Sequence, residues 1–464
     1  MVFSSLPFLF GFMPLYFIAY FLTPEKYRNT ILLGGSLIFY AIGTKDQPLY
    51  FFLLLLSMII NIVLAQKIQA NPEQKKLWLI VGIAYDFGLL FLFKYLGFFC
   101  DTLEQLLSID LPDIHPALPP GISFFTFQVV SYLADVYRGA SYDTHAVGRV
   151  ATYMSMYPQI ISGPITTYDQ VETSLKKRTH SPRLFDCGLR EFCIGLGMKV
   201  ILANQIGNLW NDVTAIGYES ISTPLAWMGI AAFSMQLYLD FYSYSLMARG
   251  LGLMMGLRLP QNFRYPYMSL SMTDFWRRWH MSLGQWFRDY IYIPLGGSRE
   301  GKLRTYRNML VVWLFTGLWH GASWNFVLWG LLLFILLSIE RLGLKKILER
   351  IPLLGHLYML FAIPLSWLVF AISDLSQIGV YLGRLFPFLG GEAQYVYAQD
   401  YIKYGKTYGV MLIVCFLFCT PLPRKLYQKY GRSLLVTVGL AAVFWLSVYL
   451  LHQGLNDPFM YFRF

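Results

Sequence analysis

The sequence carries little charge for its length, with 14% charged residues among 464 and only 26 acidic side chains. A soluble domain carries about a quarter charged residues. Here 56% of the residues are apolar and 18% aromatic, and the few charges lie between long apolar stretches. This composition excludes an ordinary soluble domain and predicts a chain whose main solvent is lipid.

Several common signals of chemistry are also missing. The five cysteines are scattered and form no CxxC pair, so neither a disulfide framework nor a zinc site is predicted. No Walker loop, GxGxxG fingerprint or GxSxG nucleophile elbow occurs. The internal repeat that is typical of many transporters is not visible either. We therefore expect no bound cofactor and no metal.

Apolar segments long enough to span a bilayer, which takes about 20 residues, recur along the whole chain. The segment 306–339 is long enough for a hairpin that turns near Gly321. We predict an all-α integral membrane protein in one domain over 1–464, with about 10–12 transmembrane helices. The candidate segments are 3–22, 29–43, 48–66, 77–99, 119–137, 191–210, 222–247, 306–339, 352–373, 405–421 and 433–452.

The net charge of +11 is spread over short loops between these segments. If the N-terminus lies outside, most of the 37 Lys and Arg residues lie in inside loops, as the positive-inside rule requires. The outside loops hold acidic residues such as Asp101, Glu219 and Glu392. We therefore expect a multi-pass protein surrounded by membrane lipids, and no nucleic-acid partner.

Two regions are too broken to be simple spans. Residues 150–168 are apolar but interrupted by Pro158, Gly163 and Pro164, and residues 260–298 are aromatic and basic together. Non-helical backbone at membrane depth is tolerated only where protein or a water-filled cavity surrounds it. Both regions are predicted to be re-entrant or interfacial elements on the cytoplasmic side, beside a cavity.

Residues 273–288 in the second region are predicted to form one helix that begins at Thr273, with His280 between an aromatic face and a basic face. One interpretation is an interfacial helix with snorkelling arginines. The other is a cavity wall that binds an anionic substrate, such as the phosphates of coenzyme A or of a carrier protein's phosphopantetheine. The candidate substrate-binding residues are Arg277, Arg278, Arg288, Trp276, Trp279, Asp240 and Trp319.

His320 is the central catalytic candidate because an ionisable residue within a span is energetically expensive. A neutral imidazole can take a hydroxyl proton as the oxygen attacks a thioester carbonyl. Thr316 and Gly317 share its helix face and are predicted to leave room beside the ring. No Ser or Cys nucleophile is evident, so we expect direct transfer of the acyl group without a covalent enzyme intermediate. A metal site shared by His320 and His280 is not expected, because a third ligand is missing.

Two long motifs point to a family. FWRRWHMSLGQWFRDYIYIPLGGSR (275–299) and RNMLVVWLFTGLWHGASWNFVLWG (307–330) resemble the signature of the membrane-bound O-acyltransferases, closest to the bacterial alginate O-acetylase branch. SYLADVYRG, YPQIISGPI and NDPFMYFRF extend the resemblance along the chain. It implies a ring of helices around a funnel and tunnel, with a core region at 119–340. His320 would lie at the narrow point, and His280 would be a second catalytic residue.

The resemblance implies a membrane O-acyltransferase, most simply an O-acetyltransferase, of the bacterial cytoplasmic membrane. Its donor would be a cytoplasmic thioester, either acetyl-coenzyme A or an acyl carrier protein's phosphopantetheine. Its final acceptor would be a cell-surface polysaccharide, reached through an extracytoplasmic partner protein. Two alternatives stay open: D-alanyl transfer to teichoic acid, as in a related branch, and a non-catalytic transporter of polymer or lipid-linked sugar. A membrane glycosyltransferase ranks behind both.

Overall fold

The computed structural model describes residues 1–389, 397–454 and 459–460 and is 77% helical, with no strand among those residues. The α-helices up to residue 216 are α1 (Met13–Leu22), α2 (Arg28–Gly43), α3 (Leu49–Ala70), α4 (Lys75–Leu90), α5 (Leu96–Leu107), α6 (Ile122–Tyr137), α7 (Val147–Ser155), α8 (Tyr157–Ile160), α9 (Tyr168–Lys176), α10 (Pro182–Gly197) and α11 (Asn204–Ile216). The later ones are α12 (Thr223–Met254), α13 (Met272–Trp276), α14 (Met281–Phe287), α15 (Lys302–His320), α16 (Trp324–Ile339), α17 (Lys345–Arg350), α18 (Pro352–Ala371), α19 (Leu375–Leu385), α20 (Asp400–Phe418), α21 (Leu422–Tyr430) and α22 (Leu434–His452). The prediction of an all-α chain is confirmed.

Seven helical segments in the described part of the chain are long and apolar enough to cross a membrane. Two shorter apolar segments, Pro7–Leu22 and Ile122–Tyr137, accompany them. Much of their apolar surface is exposed: Leu435 on α22 is 82% exposed and Val410 on α20 is 76% exposed. Since such surface is unfavourable in water, the chain is a multi-pass membrane protein. The seven are Leu49–Ala70, Lys75–Leu107, Pro182–Ile216, Trp324–Arg350, Pro352–Ala371, Asp400–Phe418 and Leu434–His452.

Each predicted span falls on a helix, although several helices run further than the apolar stretch that predicted them. The stretch at 77–99 lies within Lys75–Leu107, and a π-helical turn at Phe91–Tyr95 joins α4 to α5. The stretch at 191–210 lies within Pro182–Ile216. Glu392 and most of the closing motif, except Phe459 and Met460, lie outside the described residues.

One compact unit comprises residues 1–192, 245–261 and 288–290. It contains the first broken region, which is interrupted as predicted: α7 ends at Ser155, and Pro158 lies in the first turn of α8. Gly163 follows in a tight turn, where a Cβ atom would lie 2.3 Å from the Pro158 carbonyl oxygen. Residues 150–166 are all buried, so the protein itself surrounds this irregular backbone.

The other compact unit comprises residues 193–244, 262–287 and 291–464 and contains the predicted hairpin. Helix α15 ends at His320 and α16 begins at Trp324, so the turn lies at Gly321 as expected. Two glycines allow the helices to approach closely. A Cβ atom at Gly317 would lie 2.3 Å from the Phe326 carbonyl oxygen, and one at Gly330 would lie 2.5 Å from the Trp313 carbonyl oxygen.

This packing corrects one expectation about Gly317. Its missing side chain does not leave room for a substrate, because the backbone of α16 fills the space. We expect Gly317→Leu to force the two helices apart at a cost of about 1–3 kcal/mol, since neither backbone can yield without moving its whole helix. The folded fraction in detergent, measured by size-exclusion chromatography of a fluorescent fusion, should fall.

Gly409→Leu on α20 is the matched control for Gly317→Leu. A Cβ atom at Gly409 meets nothing within 4 Å, so the same change should leave the elution profile unaltered. An unaltered profile for Gly317→Leu as well would contradict the tight helix contact.

The predicted helix over 273–288 is wrong, because the chain is interrupted between α13 and α14. The N-cap of α13 is Ser271, whose hydroxyl accepts from the Asp274 N–H, rather than Thr273. The chain turns at 277–280, and His280 has a φ of 43°, a left-handed conformation that is uncommon for residues other than glycine. The two faces inferred from a continuous helix therefore do not exist, and His280 lies at the break.

Candidate active site

His320 is the last residue of α15, and its side chain is almost completely buried. Its Nδ1 lies 2.7 Å from the Thr316 carbonyl oxygen, one turn earlier in the same helix. A carbonyl oxygen can only accept, so Nδ1 must carry the hydrogen. In the neutral ring Nε2 then carries the lone pair, which is the form that a general base needs.

Aromatic rings surround the His320 imidazole. The rings of Trp319, Trp329 and Phe370 have centroids 4.9, 5.0 and 5.6 Å from it, each in an edge-to-face arrangement. Trp329 and Phe370 come from α16 and α18, so three helices place rings around one imidazole. This surrounding excludes bulk water and holds the ring in one orientation.

His280 is also buried and lies in the broken segment outside the spanning helices. Its Nδ1 lies 3.2 Å from Oδ1 of Asn262, which also accepts from the Ser282 N–H at 3.2 Å. Burial, and after it the neighbouring His320, lowers the pKa of His280 well below its ordinary value. The His280 ring is therefore neutral at physiological pH.

The structure brings both histidines and Trp319 together. The Trp319 indole contacts both imidazoles, with centroids 5.9 Å from that of His280 and 4.9 Å from that of His320. Phe241 on α12 closes another side of His280, with centroids 4.6 Å apart. Two segments forty residues apart in sequence thus form one site with two buried imidazoles.

Trp276 and Trp279 belong to the packing that joins these segments. The Trp276 ring contacts Trp313 on α15 and Trp329 on α16, at 5.0 and 5.7 Å between centroids. Trp279 packs against Trp367 on α18 at 4.9 Å. These two residues hold the broken segment against α15, α16 and α18, which is a structural role whether or not they also touch a substrate.

The three candidate arginines differ in their surroundings. Arg278 pairs with Asp274, with Nη2 2.8 Å from Oδ2, whereas Arg277 is exposed. Arg288 belongs to the other compact unit, where its guanidinium pairs with the adjacent Asp289 at 2.7 Å. Arg277 and Arg288 are therefore both exposed to solvent, and the binding role of all three arginines stays a prediction.

Asp240 lies on α12 with its side chain only 1% exposed. One carboxylate oxygen is 2.8 Å from Nζ of Lys199, and the other accepts from the Met460 N–H at 2.9 Å. Asp240 therefore joins α12 to the π-helical turn at Met198–Ala203 and to the C-terminal segment. These contacts indicate a structural role and place Phe241, the next residue, against His280.

Sequence reasoning missed two polar residues that hold the broken segment. Glu340, at the end of α16, accepts from the N–H groups of Met272 and Thr273 at 2.6 and 2.9 Å and from the Thr273 hydroxyl. It satisfies backbone donors at the start of α13 that the helix itself cannot satisfy. In the sequence, only the position of Glu340 after a long apolar run could have indicated this role. For Asn262 no spacing in the sequence indicated a contact with His280.

No group of three or more His, Cys, Asp or Glu side chains within the described ranges could hold a metal ion. The fold and the site define a multi-pass membrane protein with two buried imidazoles, one at the end of α15 and one at the break between α13 and α14. The family model of the membrane-bound O-acyltransferases matches residues 122–373. The chain belongs to this family and is an acyltransferase, as its motifs predicted, so the transporter alternative is set aside.

Three relatives illustrate what the chain is similar to. A probable alginate O-acetylase of Pseudomonas putida is 38% identical, over 84% of this chain and 81% of the relative. The peptidoglycan O-acetyltransferase of Helicobacter pylori is 31% identical, over 100% of this chain and 98% of the relative. The teichoic acid D-alanyltransferase of Bacillus subtilis is 29% identical, over 50% of this chain and 65% of the relative.

Proposed function

We propose that this enzyme is an O-acetyltransferase of the bacterial cytoplasmic membrane. It moves acetyl groups from a cytoplasmic thioester towards hydroxyls of a cell-surface polysaccharide. The observation that carries the proposal is the hydrogen bond from Nδ1 of buried His320 to the Thr316 carbonyl, which leaves Nε2 as a base. The donor is acetyl-coenzyme A or an acetyl-loaded acyl carrier protein.

In the proposed reaction Nε2 of His320 takes the proton of an acceptor hydroxyl as its oxygen attacks the thioester carbonyl. The new carbon–oxygen bond forms, the carbon–sulfur bond breaks, and the proton passes from the imidazolium to the leaving thiolate. His320 is thereby returned to its neutral form, and no covalent enzyme intermediate is needed. His280, whose ring contacts Trp319 as that of His320 does, is the second polar group available to the reacting atoms.

The extent of similarity favours acetyl over D-alanyl transfer. The relatives named as O-acetylase and O-acetyltransferase align over 84% and 100% of this chain. The relative named as a D-alanyltransferase aligns over half of it. The acceptor class is a glycan polymer in both acetylase cases, so we propose a polysaccharide hydroxyl, in an exopolysaccharide or in peptidoglycan.

The test is the ester content of isolated cell-surface polymers from wild type, a deletion strain and the complemented deletion. We expect acetate esters to disappear from one polysaccharide fraction in the deletion and to return on complementation. Exopolysaccharide, peptidoglycan and teichoic acid are analysed separately, for both acetate and D-alanine. Loss of D-alanyl ester with unchanged acetate would replace the proposal by the D-alanyl alternative.

The extracytoplasmic partner is proposed from the family resemblance. Purified enzyme in proteoliposomes with labelled acetyl-coenzyme A, or with acetyl-loaded acyl carrier protein, should acetylate polymer poorly by itself. Polymer acetylation should be restored when the extracytoplasmic proteins of the deletion strain are added. Full polymer acetylation by the purified chain alone would contradict the need for a partner.

A further inference from the structure

A buried carboxamide holds His280 in place. Oδ1 of Asn262 lies 3.2 Å from Nδ1 of His280 and accepts from both the backbone N–H and the hydroxyl of Ser282, at 3.2 and 3.0 Å. Asn262 is 1% exposed. It lies eighteen residues before His280, in a segment without regular structure between α12 and α13.

The hydrogen-bond partners fix both the amide and the imidazole. The Ser282 N–H can only donate, so the oxygen of the Asn262 amide must point towards it. That same oxygen faces His280 and can only accept, so Nδ1 of His280 must donate. The neutral His280 ring therefore carries its lone pair on Nε2.

The backbone around His280 is held by the same segment. The carbonyl oxygen of Asn262 accepts from the Met281 N–H at 2.9 Å, and the Arg264 N–H donates to the Arg278 carbonyl at 2.9 Å. These bonds flank His280, whose left-handed φ of 43° is uncommon for this residue type. An unfavourable backbone conformation persists only where surrounding contacts determine it, which is the case here.

We propose that Asn262 is a positioning residue of the acyl transfer, acting through His280 by fixing its orientation and its tautomer. This inference rests on the proposed function, because it assigns a role within the same site. Asn262 does not itself touch the reacting atoms. Its effect on the rate should therefore exist only while His280 is present.

The first test compares initial rates for wild type, Asn262→Leu, His280→Gln and the double variant. Isolated membranes are supplied with labelled acetyl-coenzyme A or acetyl-loaded acyl carrier protein, and rates are normalised to membrane enzyme. We expect Asn262→Leu to lower the rate about 10²-fold, the scale of a misplaced catalytic group. In the His280→Gln background the same change should add no further loss. Asn211→Leu, at an exposed position on α11, is the control and should match wild type.

The second test is the pH–rate profile of the Asn262→Asp variant. If Asn262 had a purely structural role, this substitution would not move the profile. A carboxylate beside Nδ1 favours the imidazolium and so raises the pKa of His280. Neutral His280 is then available only at higher pH, and the acidic limb of the profile should move up by about one pH unit or more. The other ionisable groups on the flanking elements are unchanged in this variant: His320, Asp240, Lys199, Arg264 and Arg278.

The outcomes separate the two claims. If wild-type membranes form no acetyl ester, the proposed function fails. If wild type is active but Asn262→Leu matches it, the role of Asn262 is overturned. An Asn262→Asp profile superimposed on that of wild type, or an additive loss in the double variant, would overturn it equally.

Discussion

Replacing His320 by Ala is expected to lower acyl transfer about 10²–10⁴-fold, the contribution of a general base. The Nδ1–H of the buried ring is bonded to the Thr316 carbonyl, which leaves Nε2 as the base, and alanine has no group that can take the hydroxyl proton. The measurement is acetate ester content of surface polymers from the deletion strain complemented with His320→Ala. Membrane levels of the enzyme must equal those of the wild-type complement.

His356→Ala is the matched control for this experiment. His356 is an exposed residue of α18, in the same compact unit, so its loss should leave ester content unchanged. Full ester content with His320→Ala would make His320 structural, and the base would then have to be sought at His280.

The second large effect is expected on stability, at the buried pair of Asp240 and Lys199. Asp240→Leu leaves the Lys199 ammonium buried without its counter-ion and removes the acceptor of the Met460 N–H. Breaking a buried ion pair in this way costs about 3–5 kcal/mol. Thermal unfolding in detergent, followed by tryptophan fluorescence, should show a clearly lower melting temperature.

Two further variants test whether the loss of stability comes from the uncompensated buried charge. Asp186→Leu removes an exposed partner of Arg190 and should cost below about 0.5 kcal/mol. Asp240→Leu combined with Lys199→Met should recover much of the loss, because no uncompensated charge remains. If Asp240 instead binds the donor, Asp240→Leu would raise the KM for the thioester at an unchanged melting temperature.

The spans could be read from the sequence because lipid imposes one simple requirement on each of them. A run of about 20 apolar residues has no alternative to a hydrogen-bonded helix in a bilayer, whatever its neighbours are. The turn at Gly321 and the irregular backbone near Pro158 were also predictable, since glycine and proline act locally. Family membership followed from motifs around His280 and His320.

The helix predicted over 273–288 is a feature that the local sequence could not decide. Its periodicity was compatible with a helix, but the chain breaks at 277–280. The interruption is fixed by contacts from distant residues: Asn262 to His280, and Glu340 to the start of α13. Local periodicity contains no information about either contact.

The sequence by itself determined that this chain is a membrane-spanning acyltransferase and which two histidines are its best catalytic candidates. Only the tertiary structure decided the form of those histidines: which nitrogen of each carries the hydrogen, what surrounds each ring, and that Trp319 contacts both. It also decided that Gly317 serves helix packing rather than substrate access. The physical reason is that spanning a bilayer is a property of each segment alone, whereas a tautomer and a packing contact depend on partners brought together by folding.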